Sequence, residues 1–311
     1  MTTVDLDPEI EARRELVPIR DFDTVPLEEI RAAPLIVPAE LSDDVERTDH
    51  VLDEASGLVA RVHRPRRVDG ALPCLYSIHG GGYVAGSYEA DDVKFDRWCQ
   101  ALGIAGVSIE YRLAPETPYP GPLEDCYAGL AWTFRHAAAL GIDTQRIGIT
   151  GVSAGGGLCA ALALLLRDRG EFAVQFQLLD CPMIDDRQIT PSSRLDDLLI
   201  WSRHANEFGW RAYLGDLYGG DAIPPSAAAA RADDLSGLPE AYVCVGGADG
   251  FRDEDITYAM RLYDAGVPTE LHVYPGAPHG VSAFVGTAIA RRYNGDQRDW
   301  LRRQFDRLAA R

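Results

Sequence analysis

From Leu72 to about His279, short apolar runs alternate with longer amphipathic ones. Nothing else in the chain restricts its fold so strongly. A strand buried on both faces reads as a short Val/Ile/Leu-rich run, and a helix between two such strands carries them into one parallel sheet. The runs Leu72–Ile78, Ala105–Tyr111, Arg146–Thr150, Phe176–Leu179, Ala241–Val245 and Glu270–Tyr274 predict strands. Helices are predicted over Asp92–Leu102, Leu123–Leu140, Ala154–Arg169, Asp253–Ala265 and about Gly295–Leu308. Ahead of them, His50–Leu52 and Leu58–His63 read as an antiparallel pair. The fold class is therefore α/β, a mostly parallel sheet flanked by helices.

Two segments break the alternation. One is residues 1–45, with helix-like Pro8–Leu16 and Leu27–Ala33. The other is about residues 189–232, which carries Trp201, Phe208, Trp210 and Tyr213. Excursions of that length usually serve binding, and open α/β sheets take ligands at their carboxyl edge. Both are expected to form a helical cap there, over a catalytic domain spanning 46–311.

Charge narrows the function. A formal net charge of −18, with Lys94 as the one lysine, repels nucleic acid and anionic membranes. The longest apolar run, Leu158 to Leu166, is about half the length of a membrane span. The start of the chain lacks a basic stretch followed by an apolar one, so a cytoplasmic location is expected. Six scattered cysteines with no C-x-x-C pair read as reduced thiols, and their spacing implies no metal.

Chemistry enters with Gly151-Val152-Ser153-Ala154-Gly155, a G-x-S-x-G sequence between a predicted strand and a predicted helix. In that context the glycines allow a sharp turn that exposes the serine hydroxyl at a helix N-terminus. Upstream, His79-Gly80-Gly81-Gly82-Tyr83 follows the first parallel strand. Backbone amides without side-chain bulk suit the negative oxygen of a tetrahedral intermediate, so Gly81, Gly82 and Ala154 are assigned as oxyanion donors. A phosphate-binding loop is the competing reading, but no Gly-Lys-Ser/Thr follows. His79 is expected to pin the loop rather than move protons.

Of seven histidines, His279 follows the last predicted strand on a loop that can face the serine, in Pro275-Gly276-Ala277-Pro278-His279-Gly280. It is assigned as general base. Asp249, just after the strand Ala241–Val245, is the preferred orienting acid; Asp180, after the preceding strand, is its rival. Asp253, Glu254 and Asp255 read as charge complementing a helix N-terminus. Tyr83, Trp201, Phe208, Trp210, Tyr213 and Val281 are candidates for the substrate pocket.

Together these pieces resemble the hormone-sensitive-lipase family of α/β-hydrolases, especially its bacterial esterases. The matching motifs are H-G-G-G-Y at 79–83, Y-R-L-A-P-E at 111–116, G-V-S-A-G-G at 151–156, D-G-F-R-D-E at 249–254 and H-V-Y-P-G-A-P-H-G at 272–280. The resemblance implies an eight-stranded sheet, an N-terminal cap, no cofactor, and a triad on Ser153, Asp249 and His279. It departs at Val152, where relatives commonly carry Asp, at Gly250 in place of Pro, and at Val281 in place of an aromatic. Ile184-Asp185-Asp186-Arg187 looks like a heroin-esterase-like subgroup, which implies short acyl groups on bulky alcohols.

The function expected is hydrolysis of short-chain acyl esters through an acyl-enzyme. An amidase or arylformamidase would use the same triad, and a non-catalytic ligand receptor could share the fold. The last strand would leave a sheet edge, which a homodimer could cover.

Overall fold

The computed structural model describes residues 5–17, 22, 24–32, 40–68, 70–195 and 197–310. Eight strands form one sheet: β1 (Val45–Asp53), β2 (Leu58–Pro65), β3 (Leu72–Ile78), β4 (Ala105–Glu110), β5 (Ile142–Val152), β6 (Phe176–Asp180), β7 (Glu240–Gly246) and β8 (Thr269–Tyr274). Their order is β1-β2-β4-β3-β5-β6-β7-β8. β1 and β2 are antiparallel to each other, β2 is antiparallel to β4, and every later pairing is parallel. The eight-stranded, mostly parallel sheet is thus as expected.

After β4 the chain crosses back over β3 to lay down β5 on its other side. That reversal brings the carboxyl ends of β3 and β5 together, with Ile78 opposite Gly151. A crevice at such a switch point is where an open α/β sheet places its chemistry.

The helices are α1 (Pro8–Glu11), α2 (Leu27–Ala32), α3 (Asp92–Leu102), α4 (Gly121–Leu140), α5 (Ala154–Arg169), α6 (Arg203–Leu214), α7 (Arg252–Asp264) and α8 (Ala288–Ala309). All seven residues of β3 are buried, as is most of α5, so the sheet centre and α5 anchor the core. Each is the kind of unbroken apolar run that a fully covered element requires.

The expected Pro8–Leu16 helix is broken into α1, capped by Asp7, and a 3-10 turn over Arg14–Leu16. Ala33 lies outside the described residues. Both N-terminal pieces are tied to the future site. The Asp7 amide donates to Gly276 O at 2.9 Å, on the loop leading to His279. Arg31 of α2 donates to Val84 O at 2.7 Å and Ala114 O at 2.9 Å, and pairs with Glu116. Over 189–232 the structure has a 3-10 turn at Ser192–Arg194, then α6, and further 3-10 turns at Gly215–Leu217 and Ala229–Arg231.

Candidate active site

β5 ends in a turn that no ordinary residue adopts without cost. Ser153 has φ 57° and ψ −122°, a conformation worth about 1–3 kcal/mol of strain for a residue with a Cβ. Three backbone bonds hold it: Ser153 N–H donates to Asp180 O at 2.8 Å, and its carbonyl accepts from Met183 N at 2.9 Å and Gly157 N at 3.0 Å. The flanking glycines are there for close approach. A Cβ on Gly151 would lie 2.1 Å from Gly155 O, and one on Gly155 would lie 2.1 Å from Ile78 O.

The structure brings the other two residues to this serine. His279 Nε2 lies 2.9 Å from Ser153 Oγ, and His279 Nδ1 lies 2.7 Å from Asp249 Oδ2. All three are buried, Ser153 being 7% exposed, and Phe251 packs edge-on against the imidazole at 5.0 Å. Asp180, the rival acid, is engaged elsewhere: it accepts from Tyr293 Oη and, at 3.0 Å, from Gln297 Nε2 of α8. Asp249 also accepts from Phe251 N–H at 3.0 Å, which fixes its carboxylate.

Across from Ser153 the glycine loop turns with φ 124° at Gly81 and 62° at Gly82. Val84 and Ala85 amides both donate to Gly81 O. Among the described residues, no carbonyl or side chain accepts from the amides of Gly81, Gly82 or Ala154. Donors that are fixed and unspent are what a developing oxyanion needs.

His79 pins this loop. Its Nδ1 lies 2.8 Å from Gly80 O, and the ring stacks on Tyr111 at 4.2 Å. Burial pushes its pKa down to about 4, so the ring is neutral near pH 7. An unfolded chain takes this proton first as pH falls, so stability fully present above about 6.5 is lost on the way down through about 4. Relative to His79→Gln, the native protein should lose about 3 kcal/mol between pH 7.5 and pH 4, read from urea midpoints of both proteins. A difference that stays constant across that range contradicts a buried neutral ring.

The expected pocket aromatics separate into groups. Trp201 covers the glycine loop so closely that a Cβ on Gly82 would meet its ring at 2.1 Å. Tyr83 points away from it, donating to Met183 O at 2.7 Å and stacking on Tyr213 at 4.0 Å, with Trp210 at 5.2 Å. Phe208 stacks on Phe22 at 4.9 Å, and Phe22 meets Trp201 edge-on at 5.5 Å. Val281 is buried in the same cluster as Ile10 and Phe284. Sequence reasoning missed Phe251, Leu198 and Ile200. A Cβ on Gly250 would approach Leu198 to 3.0 Å, and one on Gly280 would approach Ile200 to 3.7 Å. Gly250, noted as a departure, is therefore where Leu198 descends on the loop bearing Asp249.

Glu254 and Asp255 differ from expectation, being buried rather than displayed at a helix N-terminus. Burial raises both well above the usual carboxyl range, Glu254 further by Asp185 and Asp255 further by Glu254.

A family model described as the α/β-hydrolase fold matches residues 75–283. The carboxylesterase NlhH of Mycobacterium tuberculosis is 32% identical over 287 residues, 90% of each chain. A hormone-sensitive lipase of Ictidomys tridecemlineatus is 36% identical over 125 residues, 40% of this chain and 16% of the lipase. Among solved structures, a bacterial heroin esterase superposes with a TM-score of 0.90 at 39% identity, covering 97% of this chain and 98% of the other.

Proposed function

The chain belongs to the hormone-sensitive-lipase family of α/β-hydrolases and hydrolyses carboxylic esters, and on that premise we propose that Ser153, His279 and Asp249 carry the reaction. The observation behind the assignment is the continuous relay from Asp249 Oδ2 through both ring nitrogens of His279 to Ser153 Oγ. Ser153 Oγ attacks the ester carbonyl as His279 Nε2 takes its proton, and Asp249 stabilises the imidazolium. The amides of Gly81, Gly82 and Ala154 hold the oxyanion. His279 then returns the proton to the departing alcohol, and a water, activated by the same imidazole, releases the acid. No step calls for a cofactor.

We assign short acyl chains to this site. Trp201 closes directly over the glycine loop, and a bulky ring at that position favours a short acyl chain. The resemblance to the heroin esterase supports acetyl esters of bulky alcohols in particular. On p-nitrophenyl esters from acetate to dodecanoate, kcat/KM should peak between about two and six acyl carbons and fall by at least about tenfold at dodecanoate. A maximum at ten carbons or beyond contradicts the short-chain reading.

Two further assignments rest on surface and compartment. Among the described residues β8 pairs only with β7 and leaves an open edge, with Val273 exposed on it; we propose a homodimer through this edge. Sedimentation should show a dimer at micromolar concentration, and a monomer throughout would oppose it. All six cysteines are buried and unpaired, which suits the reducing cytosol, and six free thiols should titrate in denaturant without reductant. Among the described residues, no helix is long and apolar enough to cross a membrane.

A further inference from the structure

The ester reaction has no use for Cys181, yet this residue stands at the reacting centre. It follows β6 with φ 38°, and its amide donates to Cys244 O at 2.7 Å. Its Sγ, a carboxylate oxygen of Asp249 and a ring nitrogen of His279 all lie within 4.8 Å of one another. The three residues are 1%, 2% and 6% exposed. Among the described residues, they are the group of sulfur, nitrogen and oxygen donors that converges so closely.

We propose that Cys181, His279 and Asp249 form an inhibitory site for a soft or borderline divalent cation of the Zn²⁺ and Cd²⁺ class. One thiolate, one imidazole and one carboxylate are a donor set such ions take, with water or substrate completing a tetrahedron. Donors around a tetrahedral zinc stand about 3.3–3.7 Å apart, given bonds of about 2.0–2.3 Å. Cys181 Sγ therefore has to close in by up to about an ångström, while Asp249 Oδ2 and His279 Nδ1, 2.7 Å apart, have to separate by about half an ångström if both bind, within reach of side-chain motion. Calcium and magnesium do not fit, because they require several oxygens and the site offers one carboxylate.

Binding exchanges protons and moves no electrons. Burial, reinforced by Asp180 and then Asp249, keeps the Cys181 thiol protonated at rest. The cation takes the thiolate and releases that proton to solvent; if it binds Nδ1, the ring proton moves to Nε2, so the imidazole stays neutral. Either ring nitrogen already has a role, Nδ1 toward Asp249 and Nε2 toward Ser153. A metal on either one interrupts the relay. The inhibition rests on the ester mechanism proposed above, whereas the binding rests only on the three donors.

The test is a Cd²⁺ titration of the full chain, followed by the ultraviolet thiolate-to-cadmium charge-transfer band and, in parallel, by p-nitrophenyl acetate turnover. One Cd²⁺ per chain should raise the band and suppress turnover together, and EDTA should reverse both. Cys181→Ala, compared with its own metal-free rate, should lack the band and need at least about tenfold more Cd²⁺ for inhibition, the loss that removal of even an outer partner brings. The other five cysteines remain in that variant as an internal control. If Cys181→Ala does not accumulate, Cys181→Ser carries the same expectations. Ser153→Ala should keep the band without turnover, so that a wrong ester assignment and a wrong metal site give different results. No band in the native protein, or equal Cd²⁺ sensitivity in Cys181→Ala, overturns the proposal.

Discussion

Ser153→Ala should lower turnover of p-nitrophenyl acetate by about 10⁴- to 10⁶-fold while leaving the fold intact. The substitution removes the one oxygen that His279 Nε2 addresses, at 2.9 Å, and disturbs nothing structural. The amide donors and the binding surface persist, which is why a residue of catalysis above the uncatalysed rate is expected rather than none. Stability gives a second reading of the same position. Ser153 holds φ 57° through backbone contacts, and alanine inherits that strain because it keeps the Cβ. Ser153→Gly should be as inactive as Ser153→Ala but more stable by about 1 kcal/mol, since glycine takes this conformation freely. Urea midpoints of the two variants check this. Equal activity in the native protein and Ser153→Ala would remove the nucleophile from the account.

Gly155→Ala should cost at least about 3 kcal/mol and most of the activity, an unusually large effect for one methyl group. The added Cβ would stand 2.1 Å from Ile78 O and 2.4 Å from His79 O. Both are backbone atoms at the end of a strand enclosed by β4 and β5, so neither can yield as a flexible side chain would. Relief requires parting α5 from β3. That movement carries the glycine loop, and its amides, away from Ser153. For a chain of this size the melting temperature should fall by about 4–5 °C or more. Gly295→Ala is the matched control. Gly295 lies within α8 with nothing near its virtual Cβ, so alanine there should stabilise by about 0.5–1 kcal/mol.

The sheet was legible because its interior strands are apolar on both faces, and β3, α3 and α5 stand where the sequence placed them. Boundaries blurred where polarity interrupts the pattern. β5 begins at Ile142 rather than Arg146, its polar Asp143-Thr144-Gln145 hiding the start. α8 begins at Ala288 rather than Gly295. Thr287 caps it by accepting from Ala290 N at 3.3 Å, and Gly295 lies inside the helix. At the site, strand-end residues could be read from order alone: Ser153, Asp249 and His279 each follow a strand and meet at one edge. What could not be read is tertiary. Burial of Glu254 and Asp255 depends on which face α7 turns inward, and Cys181 reaches the triad only because β6 and β7 are neighbours. The aromatic residues of 189–232 carried no sign of which would cover the glycine loop and which would pack behind it.

The central claim is that a covalent intermediate forms on Ser153, and covalent labelling tests it most directly. Incubating the protein with diethyl p-nitrophenyl phosphate and measuring intact and peptide masses should give one diethylphosphoryl group per chain, on Ser153. Activity should fall in proportion to labelling, and Ser153→Ala should remain unlabelled. A protein that hydrolyses esters yet takes no label on Ser153, or takes it on another residue, would contradict the mechanism.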